Sequence, residues 1–179
     1  MNPPSQLRCT CGQVQLHVTG APIISVECCC TSCRTAGATL QALPSAPRIL
    51  GPHGTTRAEL YRKDRVHFLE GTHHLKEHRL SPEAKTRRVV ATCCNTPVFL
   101  EFERGHWLSL YGCLWPEGTL PRLELRTMVS DLPPGTALPE DVPNSRTQSF
   151  SFFVKLLGAW IKMGFRSPKL AFVQGALQR

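Results

Sequence analysis

Apolar and polar residues alternate in short segments over most of the chain, which is the pattern of half-buried β-strands. Within residues 13–19, Val14, Leu16 and Val18 alternate with polar neighbours, and a glycine and a proline end the strand. Other short strands are predicted at residues 23–27, 66–70, 74–80, 88–92, 98–103 and 107–111. Residues 34–58 have little periodicity and many prolines and glycines, which indicates loops with short strands. The pattern predicts a mainly β fold of short antiparallel sheets.

Helical periodicity is convincing in one segment, residues 150–165. Its polar face carries Ser151, Lys155, Lys162 and Arg166. The remainder of its surface is apolar and consists of Phe150, Phe153, Val154, Leu157, Trp160, Ile161 and Met163. The lysines interrupt the apolar run before it reaches the roughly 20 residues that a bilayer span needs. We expect this amphipathic helix to pack on its own domain or on a partner subunit, and the alternative is that residues 149–166 lie on a membrane surface.

Composition divides the 179 residues into a body and a basic tail. The domain organisation predicted is a β domain, a proline-rich linker and a basic, amphipathic helical tail, at residues 1–130, 131–148 and 149–179. The net charge is +8, and residues 142–179 contribute six lysines and arginines and no acid, so the other residues contribute only +2. Because the charge belongs to the tail, it does not indicate nucleic-acid binding. The first residues lack the pattern of a secretory signal, so a reducing, cytoplasmic location is expected.

Nine cysteines are grouped mainly in short clusters, which favours metal ligation over a disulfide framework. The densest cluster contains Cys28, Cys30 and Cys33 in the spacing C-x-C-x-x-C. A strand directs residues i and i+2 to the same face, so Cys28 and Cys30 can converge, and a turn brings Cys33 beside them. Three thiolates without a fourth are typical of a catalytic zinc, which keeps one position for water or substrate. A redox pair or buried free thiols is the alternative.

A second cluster has to be assembled from distant parts of the chain. Cys9 and Cys11 cannot close a tetrahedron alone, and the only other cluster is the Cys93-Cys94 pair at the tip of a predicted hairpin. Joining the two pairs would tie the first strand to the late hairpin, as a structural zinc does. Cys113 is predicted to be a small core residue. Four histidines in the β-rich part are predicted to be surface residues and not ligands, namely His67, His73, His74 and His78.

These motifs, in this order, resemble the glutathione-dependent formaldehyde-activating enzyme / centromere protein V family. The resemblance covers about residues 7–115. The matching residues are Cys9-x-Cys11-Gly12 before an alternating strand and Gly20-x-Pro22, the C-x-C-x-x-C cluster followed by Arg34, and the closing turn Cys94-Asn95-Thr96-Pro97.

The resemblance implies a zinc-bound, mainly β, tent-like fold. It implies a structural zinc at Cys9, Cys11 and the late cysteines. It places a catalytic zinc at Cys28, Cys30 and Cys33. It further implies carbon–sulfur lyase chemistry, which the family performs as formation of S-hydroxymethylglutathione, with a small thiol such as glutathione as substrate.

The chain departs from the family pattern at Ala91, where the family has the first cysteine of its closing turn. Alanine cannot bind a metal, and Cys93 is the obvious substitute. Because adjacent cysteines bind one ion only with a strained local backbone, we expect one poor ligand among Cys9, Cys11, Cys93 and Cys94. Asn95 stands where the family has glycine, which is a mild change because asparagine tolerates left-handed conformations.

Two functions of different classes fit these residues. In the first, zinc at the C-x-C-x-x-C cluster is a Lewis acid that binds a substrate thiol, and the thiolate attacks, or leaves from, a small carbonyl compound. Arg34 would offset the charge of the thiolates or hold a substrate carboxylate, unless it is a surface residue. In the second, the chain is a non-catalytic zinc module whose C-terminal helix binds a partner.

Overall fold

The computed structural model describes residues 5–178, in which strands outnumber helices. The strands are β1 Ser5–Arg8, β2 Gln15–Val18, β3 Ile24–Cys28, β4 Thr56–Arg62, β5 Val66–Glu70, β6 Leu75–His78, β7 Thr86–Ala91, β8 Thr96–Phe102, β9 Trp107–Tyr111 and β10 Leu125–Thr127. The α-helices are α1 Thr31–Gln41 and α2 Phe150–Lys162. The prediction of a mainly β fold with a C-terminal helix is confirmed.

The strands form two sheets. The smaller sheet has the order β1-β2-β5, and the larger sheet has the order β10-β3-β4-β9-β8-β7-β6. Neighbouring strands are antiparallel, as predicted, except that β10 runs parallel to β3. This departure is possible because no hairpin joins β10 to β3, so the connection between them does not force opposite directions.

The main hydrophobic core joins the two sheets. In β2, Leu16 and Val18 are buried while the residues beside them are partly exposed, as their alternation predicts. They belong to one cluster with residues of β7, β8 and β9, among them Val89, Phe99 and Leu110. This packing brings the loop between β1 and β2 next to the turn between β7 and β8, and both segments carry cysteines.

Helix α1 occupies a segment in which the sequence predicts a turn followed by loops with short strands, so that prediction is wrong. The helix buries only Ala36, Gly37 and Leu40, an apolar stripe too small to appear in the pattern. Cys30 caps its N-terminus, since the sulfur accepts a hydrogen bond at 3.3 Å from the amide three residues later. The helix also packs closely against Leu50 at Gly37, where an added Cβ atom would lie 2.3 Å from the Leu50 side chain.

Helix α2 packs on its own domain, against β3, β4 and β10. Its buried residues are Phe152, Leu156 and Ala159, and Met163 is buried directly after it. The predicted list of apolar residues on this helix is wrong, because it omits these three helix residues. The apolar residues that it names are mostly at least half exposed, namely Phe150, Phe153, Val154, Leu157 and Ile161. Apolar residues surround most of the helix, so periodicity alone does not identify the side that faces the core.

His106 and Trp160 fix the position of α2 on the sheet. The Nε2–H group of His106 donates a hydrogen bond to the Leu156 carbonyl oxygen at 2.9 Å, and the His106 ring stacks on Trp160 with the ring centroids 5.6 Å apart. Burial lowers the pKa of His106, which favours the neutral ring. Across residues 5–178, no helix combines the length and the apolar character that crossing a membrane requires.

The proline-rich residues 131–148 run beside β10 and are held there by Arg126. The Arg126 guanidinium contacts Asp141 at 2.6 Å and Glu27 at 2.7 Å. The main chain of Arg126 also forms a parallel bridge with Asn144. These contacts bind the segment to the β-strands, while the division into three predicted domains stays a prediction.

The histidines predicted at the surface do not all lie there. His67 and His73 are exposed and His74 is partly exposed, whereas His78 is only 4% exposed, so the prediction is wrong for His78. The C-terminal residues pair with the same strand, β6, through a parallel bridge between Glu77 and Ala176. Strand β6 therefore has less exposed surface than its place at the edge of the larger sheet suggests.

Candidate metal centres

Four cysteines meet beside the core, although they come from two distant parts of the chain. Cys9 and Cys11 lie between β1 and β2, and Cys93 and Cys94 lie in the turn between β7 and β8. All four sulfur atoms lie within 4.8 Å of one another. We call this group the four-cysteine cluster, and it could hold a metal ion.

The sulfur–sulfur distances in the four-cysteine cluster agree with a tetrahedral site. They are 3.6 Å from Cys9 to Cys11, 3.8 Å from Cys9 to Cys93 and 3.9 Å from Cys93 to Cys94. A tetrahedron with metal–sulfur bonds of about 2.3 Å has edges of about 3.8 Å. The donor set and its dimensions therefore fit one ion bound by four thiolates.

The turn that carries Cys93 and Cys94 has its unusual backbone conformation at the next residue. Asn95 has a φ angle of 53°, and neither of the two cysteines has a positive φ angle. The Asn95 side chain donates a hydrogen bond to the Pro44 carbonyl oxygen at 3.0 Å, which holds the turn in place. The four sulfurs converge although Ala91 is not a cysteine, and the poor fourth ligand stays a prediction.

Hydrogen-bond donors surround the sulfurs of the four-cysteine cluster. The Val14 amide donates to the Cys9 sulfur at 3.3 Å, and the Thr96 hydroxyl lies 3.0 Å from the Cys94 sulfur. Burial raises the pKa of Cys9 and acts in the same direction on Cys94. At Cys94, however, hydrogen bonds led by that of Thr96 outweigh burial and lower the pKa to about 6. Such donors orient thiolates and stabilise them as metal ligands.

The second group of cysteines lies where β3 passes into α1. Cys28 is the last residue of β3, Cys30 caps α1, and Cys33 lies in the first turn of α1. Their sulfur atoms lie within 4.8 Å of one another. Cys29 is fully buried in the core, away from this group. We call Cys28, Cys30 and Cys33 the three-cysteine cluster, and it could hold a metal ion while leaving one position for another ligand.

A buried arginine that the sequence prediction missed lies beside the three-cysteine cluster. Arg88 of β7 is 1% exposed, and its Nη2 atom donates to the Ser32 carbonyl oxygen at 3.2 Å. Its Nε and Nη1 atoms have no hydrogen-bond partner among residues 5–178. Hydrogen bonds from Cys28 and Cys33 lower the pKa of Cys30 to about 2, and the charge of Arg88 acts in the same direction. A buried guanidinium needs a nearby negative charge, and three thiolates around one divalent ion supply it.

Arg34, which the sequence suggests as the partner of the thiolates, points elsewhere. Its Nη1 atom donates to the Asp131 carbonyl oxygen at 3.0 Å. The sequence does contain a signal for Arg88, because it is a charged residue followed directly by the apolar run Val89-Val90-Ala91 of a buried strand. Cys113 belongs to neither cluster. It is partly buried against the core, with its thiol 3.6 Å from the Pro97 carbonyl oxygen.

A cavity of about 610 Å³ adjoins the three-cysteine cluster, whose members all line it. Its wall is mostly apolar and includes Val26, Leu60, Leu100 and Trp107 from the larger sheet and Phe152 and Phe153 from α2. Asp131 is the only acidic or basic residue among the described residues that line it. The volume and the apolar wall are those of a site for a small molecule.

One hydroxyl group on the cavity wall has no partner. Thr56 of β4 stands opposite Cys28 of β3 in the antiparallel pairing and lines the cavity. Thr56 is 4% exposed, and its Oγ1 atom makes no hydrogen bond within the described part of the chain. A buried hydroxyl without a partner is costly, so a ligand oxygen in the cavity would satisfy it.

Comparisons with known proteins give no family for this chain. No protein-family model matches it, and no curated protein does. A crystal structure of a Rhodobacter sphaeroides protein is similar to 78% of this chain and 99% of its own, with a TM-score of 0.46 and 14% identity. A likeness at that level is too distant to support a functional argument.

Proposed function

We propose that this chain is a zinc-binding enzyme that acts on the adduct of a thiol and a small carbonyl compound, in the manner of a carbon–sulfur lyase. The observation that carries the proposal is that one cluster has four cysteine sulfurs and the other has only three. At the first cluster, four sulfurs lie close enough to bind one ion together. At the second cluster, three sulfurs line a cavity large enough for a small molecule.

Zinc is the metal that the donor atoms favour. Both clusters offer only sulfur, and thiolate sets of three or four with tetrahedral dimensions are typical of zinc. Cys9, Cys11, Cys93 and Cys94 would hold a structural ion. Cys28, Cys30 and Cys33 would hold the catalytic ion, which supplies a Lewis-acidic position suited to a soft sulfur ligand.

The reaction joins a thiol to an aldehyde, or reverses that step. The sulfur–carbon bond forms as the carbonyl π bond breaks, and the thiol proton passes to the carbonyl oxygen, so no oxidant or reductant is needed. Arg88 offsets the negative charge of the sulfur ligands, which favours thiolate over thiol at the site. The Thr56 hydroxyl donates a hydrogen bond to the oxygen of the adduct, and the apolar wall excludes water from it.

The order of the motifs supports the same reaction class. The chain resembles the glutathione-dependent formaldehyde-activating enzyme / centromere protein V family at both clusters, and that family is described by this chemistry. The second candidate function is a non-catalytic zinc module, which the exposed apolar residues of α2 favour as a docking element.

The deciding experiment measures zinc content and turnover in the same samples. We expect two zinc ions per chain. We also expect the protein to accelerate the exchange between free formaldehyde and its thiol adduct over the rate without protein, as measured by exchange NMR. Cys28→Ser should bind one zinc ion, keep its circular dichroism spectrum and lose at least about 100-fold of the turnover.

Cys113→Ser is the matched control, because it removes a cysteine that lies outside both clusters. It should retain both ions and full turnover. Equal turnover of Cys28→Ser and the parent, or no turnover by the zinc-loaded parent with any thiol, would overturn the enzyme proposal in favour of the zinc module.

A further inference from the structure

We propose that the cavity beside the three-cysteine cluster selects an uncharged, apolar thiol adduct and disfavours an anionic one of the glutathione type. This inference deepens the proposed function and rests on it for the nature of the reacting group. It concerns the part of the substrate that lies beyond the sulfur atom.

The charges of the lining argue against an anionic substrate. Glutathione carries more carboxylates than ammonium groups, so a site for it needs cationic partners. Apart from the three cysteines, Asp131 is the one acidic or basic residue among the described residues that line the cavity, and none of the lining residues is a lysine, arginine or histidine. The Asp131 carboxylate accepts hydrogen bonds from the Thr31 amide at 3.0 Å and the Thr31 hydroxyl at 3.4 Å. These contacts hold the carboxylate at the cavity wall, where it would repel an incoming carboxylate.

The two nearest arginines do not change this balance. Arg88 is buried and is not part of the lining, and its charge is directed to the thiolates. Arg34 is also outside the lining, and its Nη1 atom binds a main-chain carbonyl. Desolvating a substrate carboxylate in this apolar cavity would therefore be uncompensated.

The uncharged part of the lining favours an apolar substituent. Leu60, Leu100, Trp107 and Phe153 present aliphatic and aromatic surface around the same space. A benzyl or short alkyl group that transfers from water to such a wall gains about 25 cal/mol for each Å² of apolar surface buried. The cavity of about 610 Å³ accepts a group of that size next to the sulfur position.

The test is equilibrium binding to the zinc-loaded full chain by calorimetry, with benzyl mercaptan and glutathione as probes. We expect benzyl mercaptan to bind at least about 10-fold more tightly than glutathione. Phe153→Ser removes an aromatic ring that lines the cavity and is 52% exposed, so the fold should survive. It should weaken benzyl mercaptan binding about 5-fold to 10-fold and leave glutathione binding unchanged.

The matched control is Phe150→Ser, which removes an 84% exposed ring of the same helix that does not line the cavity. It should change neither affinity. Glutathione binding as tight as benzyl mercaptan binding, or no binding of either, overturns the inference. Selective, Phe153-dependent binding without turnover would instead retain this inference and reject the proposed reaction.

A second inference rests on the opposite side of α2, which is independent of the cavity. Phe150, Val154, Leu157 and Ile161 are each at least 50% exposed, at spacings of three, four and seven residues that place them on one face. We call these four residues the outer strip. They lie opposite the buried Phe152, Leu156 and Ala159, so the fold does not cover them.

We infer that the outer strip docks on an anionic lipid surface. Lys162 and Arg166 follow it, are exposed, and make no ion pair within residues 5–178. Residues 142–179 contain no acid, so in a dimer that packs these segments together the cations after the outer strip would face one another. Anionic lipids complement both the apolar strip and the cations around it.

The experiment is cosedimentation of the zinc-loaded full chain with vesicles of phosphatidylcholine, with and without phosphatidylserine. We expect binding that requires phosphatidylserine and weakens at high salt. The double variant Leu157→Ser with Ile161→Ser should bind at least about 10-fold more weakly, yet bind benzyl mercaptan like the parent.

Leu69→Ser is the matched control, because Leu69 is 50% exposed on β5 and far along the chain from α2. It should sediment like the parent. No binding to phosphatidylserine vesicles, or equal binding to both kinds of vesicle, contradicts the inference. A dimer that the double variant abolishes, without vesicle binding, would assign the outer strip to a second copy instead.

Discussion

The two cysteine clusters use the same donor atom but are built in opposite ways. The four-cysteine cluster joins segments that are 84 residues apart, from Cys9 to Cys93. The three-cysteine cluster is complete between Cys28 and Cys33, around the start of one helix. The first cluster offers four sulfurs with spacings that fit a tetrahedral site, and the second offers three sulfurs that line a cavity. A metal at the first cluster would join distant strands, whereas a metal at the second would face a small molecule in the cavity.

The two clusters also differ in the groups that surround their sulfur atoms. At the four-cysteine cluster, uncharged donors such as the Val14 amide and the Thr96 hydroxyl contact the sulfurs. At the three-cysteine cluster, a whole positive charge on Arg88 is buried nearby. A charged partner stabilises an anionic group that lacks its fourth protein ligand, whereas neutral donors suffice to orient a complete set.

The largest expected effect is on stability at the four-cysteine cluster. Cys9→Ser removes a buried sulfur that contacts both Cys11 and Cys93, so the long-range connection is lost. We expect the free energy of unfolding to fall by at least about 3 kcal/mol in excess zinc, measured by urea titration. Cys113→Ser should lose less than about 1 kcal/mol. Equal losses in the two variants would remove the structural role of the cluster.

The next largest effect is expected on turnover, and not on stability, at the three-cysteine cluster. Cys30→Ser removes a metal ligand but supplies a residue that also caps helices well. Turnover should fall at least about 100-fold while the free energy of unfolding changes by less than about 1 kcal/mol. Zinc analysis and urea titration on the same sample test this. A loss of stability as large as that of Cys9→Ser would mean that both clusters are structural.

A smaller effect is expected from the buried charge beside the three-cysteine cluster. Arg88→Met keeps an unbranched side chain and removes the guanidinium, so zinc should bind about 10-fold to 100-fold more weakly at this cluster only. Competition with a chelator measures it. Arg87→Met is the control. Arg87 lies on β7 beside Arg88, but it pairs with Glu77 and Glu101 and not with the thiolates. Similar affinities in both variants would rule out a specific role for Arg88.

The smallest effect concerns helix α2, which forms part of the wall of the cavity at the three-cysteine cluster only. Burial lowers the pKa of His106, so below the ordinary value of about 6.5 the unfolded chain binds a proton that the folded chain does not. Stability is therefore lost as the pH falls through that value. Between pH 7.5 and 5.5 the parent should lose up to about 1 kcal/mol more than His106→Gln in urea titrations with zinc. Identical losses would show that His106 does not hold α2.

Sequence patterns predict most of the strands, because alternation is a local signal, and they predict both clusters from the spacing and number of the cysteines. Val14, Leu16 and Val18 alternate in the sequence, and the latter two form the buried side of β2 in the structure. The pairing of Cys9 and Cys11 with Cys93 and Cys94 follows from the number of ligands that a tetrahedral site needs. Neither prediction requires knowledge of distant packing beyond the hairpin that carries the later cysteines.

What the sequence does not predict depends on contacts between distant segments. Helix α1 has a weak apolar pattern and is stabilised by the Cys30 cap and by packing of Gly37 against Leu50. The buried side of α2 is set by β3, β4 and β10, not by its own periodicity. Arg88 comes next to the cysteines only because β7 packs behind α1, where it reaches the Ser32 carbonyl oxygen.

The different chain separations within the clusters also determine how much a metal bound at each would contribute to the stability of the fold. Cys28, Cys30 and Cys33 remain neighbours in the unfolded chain, so an ion can stay bound there after unfolding. Cys9 and Cys93, 84 residues apart, must close a long loop to share an ion, which costs chain entropy in the unfolded state. A ligand stabilises a protein only by its preference for the folded state. Two sites of equal affinity in the native protein would therefore stabilise it to different extents. An increase in zinc concentration would raise the melting temperature mainly through binding at the four-cysteine cluster.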